Sequence, residues 1–327
     1  MAFAYAVFGY AMGFYGLFHA SWAINALATL LLGHSMVIAA YLLHECGHNT
    51  IFRKQSANTQ LGRAMSWICG AAYGRYEDMR YKHFRHHVDN DDIAWFDYEE
   101  FFRQHPLTLR ITKILEWFYI PAHDLLMHGI MMFTSFVIPQ RRNQRARNIA
   151  VIAIRCSIFA ILLMLAPKVA LLYAIAYMMM MTVLRFMDSL QHDYSYNLVL
   201  FDGTPGQRRG DFEWEQAHTF SNPHSLKYDW PNWFTLNFGF HNAHHSDPTV
   251  PWYRLPALHR SLCGDDPAAV IPLWSQLKVF HKYRVARVMH DSADLGGRAY
   301  PQGKEYLRAA QEARISGGNA ASFLTAF

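Results

Sequence analysis

The sequence contains little charge. Asp, Glu, Lys and Arg make up 17% of its 327 residues, whereas soluble domains carry about 25%. None of the four occurs in residues 1–44. A hydrophobic share of 52% excludes an intrinsically disordered chain. The composition therefore predicts a membrane protein rather than a soluble one.

The sequence also lacks paired cysteines. Its four cysteines, Cys46, Cys69, Cys156 and Cys263, show no CxxC spacing. This excludes a disulfide scaffold and gives no indication of an oxidising compartment. No basic region precedes the first apolar run, so we do not expect that run to be a cleaved signal peptide.

Apolar runs predict an all-α fold, an integral membrane helical bundle of about four transmembrane helices. A bilayer core about 30 Å thick needs about 20 helical residues to cross it. The predicted spans are residues 3–18, 22–43, 148–166 and 169–187. The basic run 141–147 stands just before the third span, and such runs stay in the cytoplasm. Both hairpins should therefore begin and end there, which places both termini in the cytoplasm.

The polar segments predict a cytoplasmic helical cap. We expect residues 1–290 to form one membrane domain whose metal-binding parts, 44–147 and 188–290, are cytoplasmic. Residues 291–327 are expected to be a peripheral tail, a helix followed by a loose end.

Two further segments and one charged residue lead to separate predictions. Residues 59–73 are too short and polar to span, which favours an interfacial or re-entrant helix. Residues 116–138 are apolar but contain His and Asp, which favours a helix in the interface or inside the bundle. Arg155, inside the third span, is expected to extend towards the interface near Arg147.

The sequence contains nineteen histidines, and eight of them fall into three short groups with helical spacing. His44 and His48 are spaced i, i+4, and two further groups are spaced i, i+3, i+4: His83, His86 and His87, then His241, His244 and His245. On a helix these spacings place the rings on one face. Imidazole suits Fe, Zn and Cu, and eight such ligands are too many for one ion and natural for two.

His192 is the predicted ninth ligand because it ends the fourth span at the membrane depth expected for His48. The isolated histidines His19, His34, His123, His128 and His259 are predicted to be packing residues.

The three boxes, His44–His48, His83–His87 and His241–His245, resemble those of the integral-membrane fatty acid desaturase superfamily. The similarity covers about residues 20–262 and includes the segment 251–256 after the last box. The resemblance implies a non-heme diiron centre held by all nine histidines and a dioxygen-dependent attack on an unactivated C–H bond of a long acyl chain. Desaturation is the favoured outcome. Decarboxylation of a fatty acid to a 1-alkene and hydroxylation of an alkane or fatty acid remain alternatives.

Several charged residues are candidate supports for this site. Acids beside the boxes are predicted to accept the second N–H of a ligating imidazole: Glu45, Asp89, Asp91, Asp92, Asp188, Asp193 and Asp247. Arg185 and Arg254 could hold a substrate carboxylate or anchor the chain at the interface.

An external electron donor is expected because the sequence contains no Gly-rich dinucleotide fingerprint, no HPGG haem motif and no cysteine cluster. A ferredoxin, rubredoxin or cytochrome-type protein would serve, and Arg80, Lys82 and Arg85 favour an acidic one. No nucleic-acid partner is expected.

Three other classes fit less well. A metal transporter would hold its histidines inside the spans. A membrane zinc hydrolase needs about three ligands. A purely structural membrane protein would not need nine histidines at ligand spacing.

Overall fold

The computed structural model describes residues 1–194, 197–290, 295–296 and 298–317. Across these ranges the chain is mostly helical, which confirms the predicted all-α class. The helices are α1 (Ala2–Gly16), α2 (Trp22–Gly47), α3 (Gln55–Ile68), α4 (Tyr76–Asp89), α5 (Tyr98–Gln104), α6 (Pro106–Trp117), α7 (Ala122–Val137), α8 (Arg145–Leu165), α9 (Pro167–Asp188), α10 (Phe212–Ala217), α11 (His241–Ser246), α12 (Leu255–Cys263), α13 (Leu273–Tyr283) and α14 (Gly303–Gln311). Two short strands, β1 (Asp92–Ala94) and β2 (Asn197–Val199), pair in parallel.

Within the described ranges, three helical segments are long and apolar enough to cross a membrane: Trp22–Gly47, Pro139–Leu165 and Pro167–Asp188. The helix at the first predicted span has about the predicted length but is too short to cross a membrane. α1 has 15 residues, about 22 Å at 1.5 Å each, and cannot cross a core of about 30 Å. It lies antiparallel to α2, and a Cβ on Gly13 would come 2.8 Å from the Leu32 nitrogen. By length the bundle therefore has three full spans instead of four.

The two hairpins turn at the same end of the bundle. Lys168, at the start of α9, donates hydrogen bonds to the His19 carbonyl at 2.7 Å, in the turn between α1 and α2, and to Asn25 Oδ1 at 3.0 Å, at the start of α2. α2 and α9 therefore run in the same direction and bring His48 and His192 to the opposite end.

The polar run before α8 is tied to the rest of the protein. Arg141 donates to both carboxylate oxygens of Asp78, at 2.9 and 2.8 Å. Arg147 donates to the Ala72 carbonyl at 2.8 Å. The predicted cytoplasmic loop is thus a fixed connection between α8, α4 and the turn after α3.

α7 packs inside the protein, one of the two placements expected for residues 116–138. Its residues His123 and Asp124 are fully buried. The segment predicted over 59–73 folds as α3 followed by a 3-10 turn at Ala71–Tyr73. The side chain of Arg155 reaches this turn: it donates to the Trp67 carbonyl at 3.1 Å and lies over the Tyr73 ring.

The tail helix α14 packs on the main body. Tyr306, Ala309 and Ala310 are buried in one apolar cluster with Leu190 and Phe220. The division of the chain at residue 290 stays a prediction, and the expected loose end falls largely on residues 318–327, outside the described residues.

Candidate metal centre

Each histidine box lies at or near a helix end, with the helical spacing expected from the sequence. α2 ends with His44 in its last turn and His48 as the residue that caps it. α4 carries the second box and α11 the third. His192 follows the end of α9. All nine predicted ligands therefore lie at the same end of the bundle.

Four histidines form a first group. Possible ligand atoms of His44, His48, His83 and His244 all lie within 4.8 Å of one another, and all four residues are buried. His48 Nε2 is 2.5 Å from His83 Nε2. His87 belongs beside this group, because its Nε2 lies 3.1 Å from His83 Nε2.

The second group consists of His86, His192, His241 and His245, with the same limit of 4.8 Å between ligand atoms. His192 is its centre. Its Nε2 lies 3.2 Å from that of His86, 2.8 Å from that of His241 and 3.2 Å from that of His245. The two groups are adjacent because α4 contributes His83 to one and His86 to the other.

Hydrogen bonds fix how these rings are protonated. His86 Nδ1 lies 2.8 Å from the Asp91 carbonyl, which can only accept, so Nδ1 carries the proton. His245 Nδ1 lies 2.7 Å from Glu215 Oε1 and donates to it when the acid is ionised; burial raises the pKa of Glu215 to about 7. Burial lowers the pKa of His86 to about 4 and the pKa of His245 well below its usual range. Both rings are therefore neutral near pH 7, and both Nε2 atoms carry lone pairs.

These lone pairs converge on His192 Nε2, which has one proton at most and faces three nitrogens. A cation among the four nitrogens would satisfy all of them. His244 gives a second indication: it is 1% exposed, and neither ring nitrogen has a hydrogen-bond partner in the part of the chain that the structure describes. Buried imidazole nitrogens are costly when unpaired, so both observations fit metal ligation.

His192 is held in place by a short pairing of two loop segments. Asp193 donates its backbone N–H to the His218 carbonyl at 2.9 Å, and Phe220 donates to the Gln191 carbonyl at 2.8 Å. The hydroxyls of Tyr194 and Thr219 lie 3.1 Å apart. The segment around residue 218 therefore positions the histidine that lies outside the three boxes.

Glu215 is the functional candidate that the sequence reasoning missed. It lies on α10, is 5% exposed, and accepts from His245 Nδ1. The same oxygen lies 3.9 Å from His87 Nδ1. One carboxylate thus stands between a histidine of the second group and the histidine beside the first. In the sequence, Glu215 is recognisable only as an acid three residues before His218. The structure then shows that the segment of His218 pairs with that of His192.

Two of the predicted acids lie next to a ligand but beyond hydrogen-bond distance. Glu45 Oε1 is 3.7 Å from His44 Nδ1, and Asp92 Oδ1 is 3.8 Å from His86 Nδ1. Asp91 supports its histidine through the main-chain carbonyl. Glu45 also accepts from the backbone N–H of Trp252 at 3.1 Å, which ties the segment after the third box to the first box.

The other predicted acids serve different contacts. Asp89 pairs with Arg85 at 2.6 Å. Asp193 accepts from the Tyr300 N–H at 2.9 Å, and Asp247 accepts from the Thr249 N–H at 3.0 Å. The prediction that these three accept from ligating imidazoles is wrong, because each acid is engaged by a neighbour in its own segment or by a distant loop. Asp188 is the last residue of α9.

Arg185 neither faces the site as a free cation nor anchors the interface. Its Nη1 lies 2.7 Å from Glu116 Oε1 and 3.4 Å from Asp124 Oδ2, and all three side chains are buried. Both predicted roles are therefore wrong. Arg254 is exposed, in the 3-10 turn Trp252–Arg254 that follows the third box.

The positive charges expected at the surface around the second box are largely covered. Lys82 is 1% exposed and Arg85 is 7% exposed. Arg80 donates to the Gly47 carbonyl at 2.9 Å and lies over the Phe84 ring. The acidic character of the electron donor stays a prediction, and it loses support because two of the three charges behind it, Lys82 and Arg85, are buried.

The five isolated histidines predicted to be packing residues stand outside both groups: His19, His34, His123, His128 and His259.

Comparison with known proteins agrees with this geometry. The profile of the family described as fatty acid desaturase matches residues 20–276. An omega-6 fatty acid desaturase, chloroplastic, of Glycine max is 25% identical over 274 residues, which cover 78% of this chain and 60% of that protein. The chain thus spans less than two thirds of the length of this relative. The match includes the three boxes, the intervening hairpin and His192, and the chain belongs to the fatty acid desaturase family.

Proposed function

We propose that this protein is a membrane diiron oxidoreductase that uses dioxygen to desaturate a long-chain fatty acid or acyl lipid. The observation that carries the proposal is the pair of adjacent four-histidine groups joined through α4, in which every histidine but the half-buried His192 is buried. Two groups of this kind suit two ions, and all-imidazole ligation suits iron. The omega-6 desaturase relative supports an acyl substrate and desaturation as the outcome.

The proposed ligands of one iron are His44, His48, His83 and His244, with His87 beside them, and those of the other are His86, His192, His241 and His245. When bound, the two irons supply dioxygen reduction and the oxidation of a C–H bond. A zinc site would not supply this chemistry, because zinc has no redox chemistry.

The chain itself orients the rings and keeps water away from them. The Asp91 carbonyl and the Glu215 carboxylate hold the Nδ1 protons of His86 and His245, so that their Nε2 atoms face the ion position. Burial of these rings excludes bulk water, which protects a reactive centre from side reactions.

We further propose that this end of the bundle is cytoplasmic, because the basic run that precedes α8 lies there. Electrons would come from a separate ferredoxin, rubredoxin or cytochrome-type donor that docks on the same side.

Metal analysis and product analysis test the proposal. Purified protein should hold close to two irons per chain, and a His244→Ala variant should lose iron while His105→Ala, at an exposed histidine outside both groups, should not. One zinc and no iron would overturn the diiron assignment.

Reduced enzyme incubated with a saturated fatty acid should yield an unsaturated acid of unchanged length. A 1-alkene one carbon shorter would establish decarboxylation instead, and a hydroxy acid would establish hydroxylation.

A further inference from the structure

A cavity lies in the membrane part of the protein, away from the histidine groups. Its volume is about 680 Å³, within the usual range for small-molecule sites. Helices α1, α3, α7, α8 and α9 form its walls, and none of the nine candidate ligands lines it. Most of the lining is apolar or aromatic, with Tyr10, Tyr173 and Tyr177 among the aromatic residues.

Arg155 is the one charged side chain among the described residues that line this cavity. It lies in the middle of α8, where a membrane-embedded charge is costly unless it is paired. Its Nη1 donates to the Trp67 carbonyl at 3.1 Å, and the Tyr73 side chain is a second hydrogen-bond partner. A guanidinium has five N–H donors in a planar fork, so it retains donors for an anionic oxygen.

His128 provides a different polar group in the same cavity. The residue is 7% exposed, and its Nδ1 lies 3.1 Å from the Asp124 carbonyl, to which it donates. Nε2 is buried and has no hydrogen-bond partner among the residues that the structure describes. Burial and the nearby charge of Arg155 lower the pKa of His128 to about 4. The ring is therefore neutral near pH 7 and adds no second charge to the cavity.

We propose that this cavity binds the carboxyl end of a long-chain free fatty acid, at a site separate from the metal centre. The carboxylate oxygens accept from Arg155, which gives this membrane-embedded charge the partner it requires. A single cation in an otherwise apolar lining suits one carboxylate on one acyl chain.

The route of entry follows from the position of α8. Ile158 and Phe159 line the cavity and are 53% and 43% exposed. In a bilayer that exposed surface of α8 faces lipid, so an acyl chain can reach the cavity from the membrane without passing the histidine groups. The fatty acid at this site is thus additional to any substrate at the metal centre.

Photocrosslinking tests the proposal without turnover. Iron-loaded full-length protein in phosphatidylcholine nanodiscs would be labelled with palmitic acid that carries a diazirine near its carboxyl group. Crosslinks should map to α7 and α8. Unlabelled palmitic acid should compete, whereas its methyl ester and phosphatidylglycerol should compete poorly.

Two variants separate the carboxyl contact from the cavity itself. Arg155→Gln should weaken binding about 10- to 100-fold, the range for loss of a hydrogen bond to a charged group. Gly129→Leu should abolish labelling, because a Cβ at Gly129 meets no atom within 4 Å and the larger side chain would fill the cavity. Arg142→Gln removes an exposed arginine and should leave binding unchanged. Iron content and elution profile check that each variant is folded.

The proposal is overturned if Arg155→Gln binds palmitic acid as tightly as the unchanged protein, or if crosslinks map only to helices that carry the histidine boxes. Equal competition by phosphatidylglycerol would overturn the choice of a carboxyl ligand. None of these outcomes depends on which reaction the metal centre catalyses.

Discussion

Removal of the Glu215 carboxylate should weaken iron binding at one group more than at the other. The residue accepts from His245 Nδ1 at 2.7 Å and so fixes the tautomer that leaves Nε2 free to ligate. Loss of such a support lowers metal affinity by about 10- to 100-fold, which corresponds to about 1.4 to 2.7 kcal/mol. Because His245 lies in the second group, we expect Glu215→Ala to release about one iron per chain at chelator concentrations that leave the unchanged protein loaded.

Two further variants sharpen this experiment. Glu215→Gln keeps an oxygen that can accept from His245 but loses the charge, so its iron affinity should fall between those of the unchanged protein and Glu215→Ala. Glu213→Ala removes an exposed acid from the same helix and should retain both irons. The measurement is iron per chain during titration with a chelator. Equal retention of both irons by Glu215→Ala and Glu213→Ala would refute the assigned role.

Three other predictions follow from the architecture. His192→Ala should lose about one iron per chain by metal analysis, because His192 belongs to the second group alone. A cysteine at Lys168 should react with an impermeant reagent only from outside the cell, and one at Pro205 only from the cytoplasm, since the hairpin turn and the site lie at opposite ends. Arg185→Gln should lower the free energy of unfolding by about 3 to 5 kcal/mol, seen as a lower melting temperature in detergent, because two buried carboxylates lose their partner.

Each of these predictions has a contrary outcome, and the arginine variant has a matched control. Loss of both irons in His192→Ala would show that the two groups do not bind independently. Labelling requires a background without Cys156 and Cys263, and reaction at Pro205→Cys from outside would invert the topology. Arg142→Gln, at an exposed arginine, should leave the melting temperature unchanged, and an equal shift in both arginine variants would contradict the role of the buried ion pairs.

The histidine boxes could be predicted because their geometry is local. Spacings of three and four residues place rings on one helix face whatever surrounds the helix, and the structure places all three boxes on or at the end of helices. The partition into two groups could not be predicted. His83 and His86 lie on the same helix but face different partners, which depends on how α2, α4 and α11 pack.

The contacts of Glu215 and the burial of Lys82 could not be predicted from the sequence either. Glu215 reaches His245 across 30 positions through a loop pairing that has no periodic signal. Lys82 looks like an exposed cation next to a box, yet it is 1% exposed, because helical spacing gives the face of a residue and not what covers that face. α1 shows a different kind of error: apolar composition predicted a span over residues 3–18, although a segment of that length reaches only about 24 Å and cannot cross a core of about 30 Å.

The positions of the cations near the histidine groups indicate which part of an acyl substrate is attacked. Loss of carbon dioxide requires a free carboxylate held close to the metals, and Arg185, one of the two cations predicted to hold it, is committed to Glu116 and Asp124. Arg254 remains, exposed in the turn whose Trp252 donates to Glu45 beside the first box. A head group bound there would lie at the protein surface, which favours attack along the chain over attack beside the carboxylate.

Arg254→Gln should therefore raise the KM for a free fatty acid by up to about tenfold, the loss of one exposed charge-assisted hydrogen bond, with kcat and product little changed. The methyl ester of the same acid should show no such rise, because it lacks the negative charge. Arg260→Gln, at an exposed arginine on α12, is the control. A rise in KM of the same size for acid and ester would show that Arg254 acts through packing, and a product that changes to a 1-alkene in either variant would contradict the argument that the carboxylate stays remote from the metal centre.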